Sequence, residues 1–131
     1  MSRGILDTSI VIAGDQEDVA ALLPEDAAIS VATLAELHYG VLVAKDDATR
    51  RHRLRRLGEV ETAFRPLPID ESVARAYATV AHAVKIAGSQ PRARVMDLWI
   101  AATALVHKVP VYTRNRGDFA ALTGVIEVRS V

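Results

Sequence analysis

Short apolar runs alternate along the chain with longer segments whose apolar residues recur at helical spacing. The short runs predict strands at residues 4–6, 28–31, 110–113 and 125–128, with residues 64–69 as a connector or edge strand. The longer segments predict helices at residues 15–23, 35–42, 47–64, 70–88 and 94–107, with short helical turns after residue 7 and at 118–122. Strands alternating with helices predict a mostly parallel sheet covered on both faces, a three-layer α/β/α sandwich.

The apolar stripe of each helical segment indicates which face is buried. In the segment 47–64 we expect Leu54, Leu57 and Val60 to face inward and the arginines to face outward. Asp70 has the side chain and the position of an N-cap. The segment 94–107 is rich in Ala and apolar nearly all round, which predicts a buried helix.

The composition is that of a globular protein and fits one domain spanning residues 1–131, since 50% of the residues are hydrophobic and 24% are charged. Cysteine is absent, which excludes disulfides and thiol chemistry. The net charge is zero, which argues mildly against a protein that coats nucleic acid through phosphate contacts. The apolar residues near the N-terminus do not form a signal peptide, because Asp7 interrupts them. No stretch is long enough to span a bilayer. We therefore expect a soluble cytoplasmic protein.

Four acidic residues stand where an apolar run passes into a helix: Asp7, Glu36, Asp97 and Asp118. In an α/β fold these junctions lie along one edge of the sheet, where ligands bind. Acids crowded at one edge repel each other unless a divalent cation neutralises them. Because oxygen ligands without Cys or paired His favour Mg²⁺ or Mn²⁺, the pattern predicts such a metal site.

Each acid also has a simpler explanation as a helix cap. Asp7, Asp97 and Asp118 each precede a helical run. Thr33 and Glu36 have the spacing of a capping box. Taken singly, capping is the better explanation for each residue. Taken together, metal binding is better, because Asp7 follows an apolar strand and Asp97 lies among apolar neighbours, where an unpartnered charge is rarely buried.

The chain resembles the PIN-domain ribonucleases in four local sequences: residues 5–9 (ILDTS), 30–40 (SVATLAELHYG), 97–104 (DLWIAATA) and 113–119 (TRNRGDF). Within that family it is most similar to VapC, the toxin of bacterial VapBC toxin–antitoxin pairs. The motifs stand in family order and at family-like spacing over essentially the whole chain. The resemblance therefore implies a PIN-like α/β/α sandwich.

The resemblance also implies an endoribonuclease that depends on Mg²⁺ or Mn²⁺. Asp7, Glu36 and Asp97 match the metal-binding acids of the family, and Asp118 matches a fourth acid with a less uniform role. The polar residues that match positions orienting ligands or water are Thr8, Ser9, Thr113 and Asn115. Attack by water predicts products with a 5′-phosphate and a 3′-hydroxyl. The implied partners are RNA, a second copy in a homodimer or larger assembly, and a VapB-type antitoxin. The resemblance also implies that the complex binds operator DNA only through the antitoxin.

Other functions fit the residues less well. Acid–base catalysis by histidine is disfavoured because separate predicted helices carry His38, His52, His82 and His107. An aspartyl-phosphate phosphatase would need a second Asp where Ser9 stands, and a receiver domain would need its Asp on a middle strand. A dinucleotide-binding fold would need a Gly-rich turn after the first strand. A non-catalytic PIN-like module that binds RNA or protein is the open alternative.

Arginines near the acids are the candidate RNA contacts. The better candidates flank two of the acids: Arg92, Arg94, Arg114 and Arg116. The arginine run at residues 50–56 is either a solvated helix face or a guide for the RNA backbone, and the two interpretations are equally supported. Trp99 is interpreted as a core or interface residue rather than one that stacks on a base.

Overall fold

A four-stranded sheet lies at the centre of the computed structural model, which describes residues 2–13 and 17–131 and, for residues 17 and 18, the backbone alone. The strands are β1 (Arg3–Leu6), β2 (Asp26–Ala28), β3 (Val111–Thr113) and β4 (Val128–Ser130), in the order β2-β1-β3-β4. All the neighbouring pairs are parallel, and Ile5 of β1 lies opposite both Ala28 and Val111. The carboxyl ends of the central strands β1 and β3 therefore open onto one edge.

Helices cover both faces of this sheet. They are α1 (Thr8–Ile12), α2 (Glu17–Ala20), α3 (Val31–Leu42), α4 (Asp47–Ala63), α5 (Glu71–Ile86) and α6 (Val95–His107), with 3₁₀ turns at Pro91–Arg94 and Arg116–Leu122. Ile5 belongs to the core formed with α5 and α6, whereas the next residue, Leu6, packs with Val11 and Val60 from α1 and α4. The expected three-layer α/β/α sandwich is confirmed, with a sheet that is wholly parallel in the described residues.

Several local signals in the helices are confirmed. Asp70 precedes α5, and its Oδ1 accepts a hydrogen bond from the Val73 amide at 3.0 Å, as an N-cap does. Buried residues run through α6 from Leu98 to Ala104, as the apolar sequence predicts. Among the described residues, none of the helices combines the length and the apolar character that crossing a bilayer requires.

The inward face of α4 differs from the one expected. Leu57 and Val60 are buried, but Leu54 is 55% exposed, so its expected inward orientation is wrong. Past the first turn of α4, the least exposed positions are 56, 57 and 60, and the exposed Arg53 lies one turn before them on the same side of the helix, at the i, i+3, i+4, i+7 spacing. Arginines occupy positions 53 and 56, which hides the stripe from a search for apolar residues.

The second strand lies at 26–28 instead of 28–31. Ser30 ends the extended segment because it caps α3: its Oγ accepts a hydrogen bond from the Ala32 amide at 3.0 Å. Ser30 also pairs with Leu67 in a single bridge, so the connector at 64–69 touches the sheet edge at one point.

The last strand and the first long helix are also displaced. β4 spans Val128–Ser130 rather than 125–128, because the amides of Val125 and Ile126 both donate to the Leu122 carbonyl and close the preceding turn. The helix expected at 15–23 corresponds to the shorter α2, and residues 15 and 16 of that expectation lie outside the described residues.

Candidate active site

Asp7 lies at the carboxyl end of β1 and is 4% exposed. Its Oδ1 accepts a hydrogen bond from the Thr8 amide at 2.8 Å, so Asp7 does cap α1. Its Oδ2 accepts hydrogen bonds from the hydroxyls of Ser9 and Thr113, each at 2.8 Å. A buried carboxylate with three donors is held in one orientation.

Glu36 reaches the same region from α3. Its Oε1 accepts a hydrogen bond from the Thr8 hydroxyl at 2.7 Å, and Thr8 Oγ1 lies 3.1 Å from Oγ1 of the buried Thr33. The expected capping box is wrong, because Ser30 caps α3 and Thr33 lies inside the helix. Burial raises the pKa of Glu36, the Thr8 hydrogen bond lowers it and the charge of Asp7 raises it again. The net result is a pKa above the usual value.

Asp97 lies in the first turn of α6, where its side chain is 24% exposed. It does not cap the helix, because Arg94 occupies the N-cap position. Burial is the largest of the causes that raise the pKa of Asp97 to about 6. The charges of the other three acids raise this pKa further, and the guanidinium of Arg94 lowers it. The fold therefore brings the other three predicted acids within electrostatic reach of Asp97.

Asp118 is paired with an arginine. It lies within the turn Arg116–Leu122 rather than before it, so the expected cap is not formed. Nη1 of Arg94 donates a hydrogen bond to Asp118 Oδ1 at 2.6 Å and lies 3.8 Å from Asp97 Oδ2. Arg94, a candidate RNA contact in the sequence, is therefore an internal counter-charge to two of the acids.

The donor set fits a hard divalent cation. Carboxylate oxygens are the ligands that Mg²⁺ and Mn²⁺ prefer. Burial and then the charges of the other acids disfavour the ionised form of Asp97, and such an ion favours that form. Among the described residues, which include all four acids, no three acidic or histidine side chains already surround a common metal position. Glu36 and Asp118 instead have hydroxyl and guanidinium partners.

The supporting polar residues act in two ways. Thr8, Ser9 and Thr113 contact the acids directly through their hydroxyls. Asn115 is exposed and contributes its backbone amide, which donates to the Thr113 hydroxyl at 2.9 Å. The backbone amide of Arg114 donates to Ser9 Oγ at 3.2 Å. These bonds fix the loop after β3 to the start of α1.

The other candidate RNA contacts lie at the surface. Arg92 belongs to the turn that leads into α6, and Arg114 and Arg116 belong to the loop after β3. All three residues are exposed. Positive side chains therefore flank the segments that carry Asp97 and Asp118.

The histidines and Trp99 lie where the sequence places them. α3, α4, α5 and α6 each carry one histidine: His38, His52, His82 and His107. Nε2 of His38 lies 3.1 Å from Oε1 of Glu61, and within the described residues no histidine bonds to the four acids. Trp99 is half-buried and stacks on Tyr77 with ring centroids 4.1 Å apart, so it joins α6 to α5.

Thr33 was not predicted as a site residue from the sequence, and the arginine run at residues 50–56 was left with two interpretations. Thr33 precedes Glu36 by three residues and so shares its helix face, which is the signal that could have found it. A cleft of about 350 Å³ beside Glu36 is lined on its other side by Arg53 and Arg56 of α4. Each of these arginines stands four residues before a buried residue of α4, Arg53 before Leu57 and Arg56 before Val60. This helical spacing is the signal that could have placed them beside the cleft.

The wholly parallel α/β/α fold and the acids at its carboxyl edge define a class of protein. Residues 4–124 match the family model of the PIN domain, and the chain belongs to the PIN-domain family. It is 43% identical over 133 residues to Ribonuclease VapC5 of Mycobacterium tuberculosis, an alignment that covers 99% of this chain and 95% of that protein.

Solved structures agree with this assignment. The crystal structure of VapBC-5 from Mycobacterium tuberculosis, a member of the VapBC family of toxin–antitoxin systems, matches with a TM-score of 0.86 and 39% identity over 100% of both chains. FitAcB from Neisseria gonorrhoeae matches with a TM-score of 0.77 and 34% identity, over 97% of this chain and 96% of that one. The resemblance inferred from the four motifs is confirmed.

Proposed function

We propose that this protein is a VapC-type toxin, an endoribonuclease that hydrolyses RNA phosphodiester bonds with the help of Mg²⁺ or Mn²⁺. The observation that carries the proposal is the grouping of four carboxylates at the carboxyl edge of the sheet, where burial and the charges of the other three acids raise the pKa of Asp97 to about 6. The similarity to a protein named Ribonuclease VapC5 supports the same activity.

Asp7, Glu36, Asp97 and Asp118 would hold the metal. A bound divalent ion supplies charge stabilisation for the phosphoryl oxygens and lowers the pKa of water. The protein residues prepare the centre for it. Three hydrogen-bond donors fix the orientation of the Asp7 carboxylate. The Thr8 hydroxyl donates a hydrogen bond to Oε1 of Glu36. Asp97 must lose its proton before it can act as a ligand.

The flanking arginines would meet the RNA. Arg92, Arg114 and Arg116 are exposed on the segments that carry two of the acids, where they can approach phosphates of a strand lying over the centre. The guanidinium of Arg94 is paired with Asp118. We infer that it balances the acids in the metal-free protein.

We infer that the natural partner is a VapB-type antitoxin, since the VapBC-5 structure is of a toxin–antitoxin system. A basic or aromatic side chain from that partner at the acidic centre would block metal or RNA. The homodimer, the larger assembly and contact with operator DNA through the antitoxin stay predictions from the resemblance.

The test is cleavage of total cellular RNA by purified, antitoxin-free protein with Mg²⁺, with Mn²⁺ and with EDTA. The variants are Asp97→Asn and, as a matched control, Asp26→Asn, whose carboxylate pairs with Arg3 at the surface. We expect discrete fragments with 5′-phosphate ends from the wild type and the control, and none from Asp97→Asn or with EDTA. Cyclic-phosphate ends, or cleavage that survives EDTA, would contradict the metal mechanism. Absence of cleavage by folded wild-type protein would favour a non-catalytic binding module.

A further inference from the structure

Three arginines of α4 donate hydrogen bonds to backbone carbonyls at the ends of other helices or just beyond them. Nη2 of Arg50 donates to the Ala44 carbonyl at 3.3 Å. Nη1 of Arg53 donates to the Gly40 carbonyl at 2.7 Å. The third, Arg56, donates twice to the Val11 carbonyl, from Nε at 3.1 Å and from Nη2 at 2.8 Å. Their spacing of three residues places all three on one side of α4.

The accepting carbonyls lie at the ends of two helices. Val11 is in the last turn of α1, and Gly40 and Ala44 are at the end of α3 and just beyond it. Carbonyls at a helix C-terminus lack partners within the helix and carry the negative end of its dipole. A guanidinium there satisfies the carbonyl and complements the charge. These three arginines of α4 therefore act as C-terminal capping residues for α1 and α3.

The two capped helices meet at the acidic centre. α1 begins at Thr8, one turn before the Val11 carbonyl, and α3 carries Glu36, one turn before Gly40. The two helices are joined there by the 2.7 Å hydrogen bond from the Thr8 hydroxyl to Glu36. α4 thus contacts the C-terminal ends of the two helices, each about one turn beyond the residue that takes part in this hydrogen bond.

We propose that Arg56, assisted by Arg53, is a positioning residue: it holds α1 against α3 so that the Thr8 hydroxyl stays on Glu36. This inference rests on the proposed function for its consequence, since Glu36 is a proposed metal ligand. The effect acts through α1 and needs no contact between Arg56 and the substrate.

Contact with RNA phosphate is the competing role for Arg56. All three nitrogens of its guanidinium are engaged, because Nη1 also lies 3.0 Å from Glu59 Oε2. Its side chain is 24% exposed, so a phosphate would have to displace existing bonds. Arg51 and Arg55 are exposed on the same helix and have no hydrogen bond or ion pair within the described part of the chain. They are therefore matched controls.

The first measurement is amide hydrogen exchange of the metal-free protein, for the wild type, Arg56→Gln, Arg56→Lys and Arg55→Gln. The amides of Ile10, Val11 and Ala13 form the hydrogen bonds of α1. We expect their exchange to quicken by about tenfold in Arg56→Gln, because charged hydrogen bonds to the helix end are lost. Arg56→Lys keeps the positive charge but has one donor nitrogen in place of three, so its exchange should fall between those of the wild type and Arg56→Gln. Arg55→Gln should match the wild type.

The second measurement is Mn²⁺ binding by calorimetry under conditions where circular dichroism shows every variant folded. We expect Arg56→Gln to weaken Mn²⁺ binding by about tenfold, the usual scale for residues that orient a metal ligand. Thr8→Val, which removes the hydroxyl on Glu36, should weaken it similarly, and the double variant should be no weaker than either single variant. If Arg56 only stabilises the fold, Arg56→Gln should lower the melting temperature, and its effect on Mn²⁺ affinity should add to that of Thr8→Val in the double variant.

The outcomes separate the inference from the proposed function. If the wild type binds no Mn²⁺, the proposed function fails, while α1 exchange still decides whether Arg56 holds the helix. If Arg56→Gln leaves both α1 exchange and Mn²⁺ affinity unchanged, the positioning role is overturned. The role is overturned as well if Arg56→Gln alters only RNA binding and reduces its salt dependence by about one ion, as a phosphate contact does.

Discussion

Replacing Asp97 by Asn should stabilise the metal-free protein at pH 8, although it removes a proposed metal ligand. The pKa of Asp97 is raised from 3.8 to about 6 in the fold, so its ionised form is less favourable there than in the unfolded chain. The contribution of Asp97 to stability is therefore full below pH 3.8 and is lost as the pH rises through about 6. An Asn side chain does not ionise and keeps that contribution.

The size of the effect follows from the same pKa. A rise from 3.8 to about 6 is roughly two pKa units, which corresponds to ~3 kcal/mol in the free energy of unfolding. The side chain of Asp97 is 24% exposed, so solvent reduces this free-energy difference. We expect a gain of about 2 kcal/mol at pH 8, equivalent to roughly 7 °C in melting temperature for a domain of this size.

The assay is urea unfolding in EDTA at several pH values between 4 and 8, comparing wild type with Asp97→Asn. The difference in free energy of unfolding should be near zero at pH 4, grow between pH 4 and 7, and level off above. Asp26→Asn is the control, because the Asp26 carboxylate is exposed and pairs with Arg3 at the surface. That control should stay within about 0.5 kcal/mol of the wild type throughout.

Adding Mn²⁺ should reverse the order of stability. A ligand at 100 times its dissociation constant stabilises the folded state by about 2.7 kcal/mol, and Asp97→Asn loses most of that gain. If Asp97→Asn is instead less stable than wild type at pH 8 without metal, or if the difference does not depend on pH, then burial and the neighbouring carboxylates do not raise the pKa of Asp97.

The remaining predictions concern the partners of the acids. Arg94→Gln should destabilise the metal-free protein by about 0.5–1 kcal/mol at pH 8, because the counter-charge of two carboxylates is lost; urea unfolding measures this, and an unchanged free energy of unfolding would contradict that role. Thr113→Val should cost about 1–3 kcal/mol and weaken Mn²⁺ binding in calorimetry, because a buried donor to Asp7 is lost; an unchanged affinity would contradict the proposed role of that bond. Mn²⁺ affinity should fall as the pH drops below about 6, where protons compete for Asp97; a flat profile from pH 5 to 8 would contradict this.

The sequence by itself determined the order of the elements and the residues that carry the chemistry. Apolar periodicity identified the layers, and the Asp70 cap gave the start of α5, because these signals are local. The four acids were found because each stands at a junction between an apolar run and a helix. Strand ends were not determined locally, because Ser30 can either extend a strand or cap a helix, and its environment decides between the two.

The tertiary structure alone decided which side chains face one another. Thr8 meets Glu36, Arg94 meets Asp118, and Arg56 meets the Val11 carbonyl across 28, 24 and 45 residues of sequence. Such contacts depend on how helices pack over a shared sheet edge, and no local periodicity encodes them. The raised pKa of Asp97 has the same origin, because burial and charges from distant segments create it only when the chain folds.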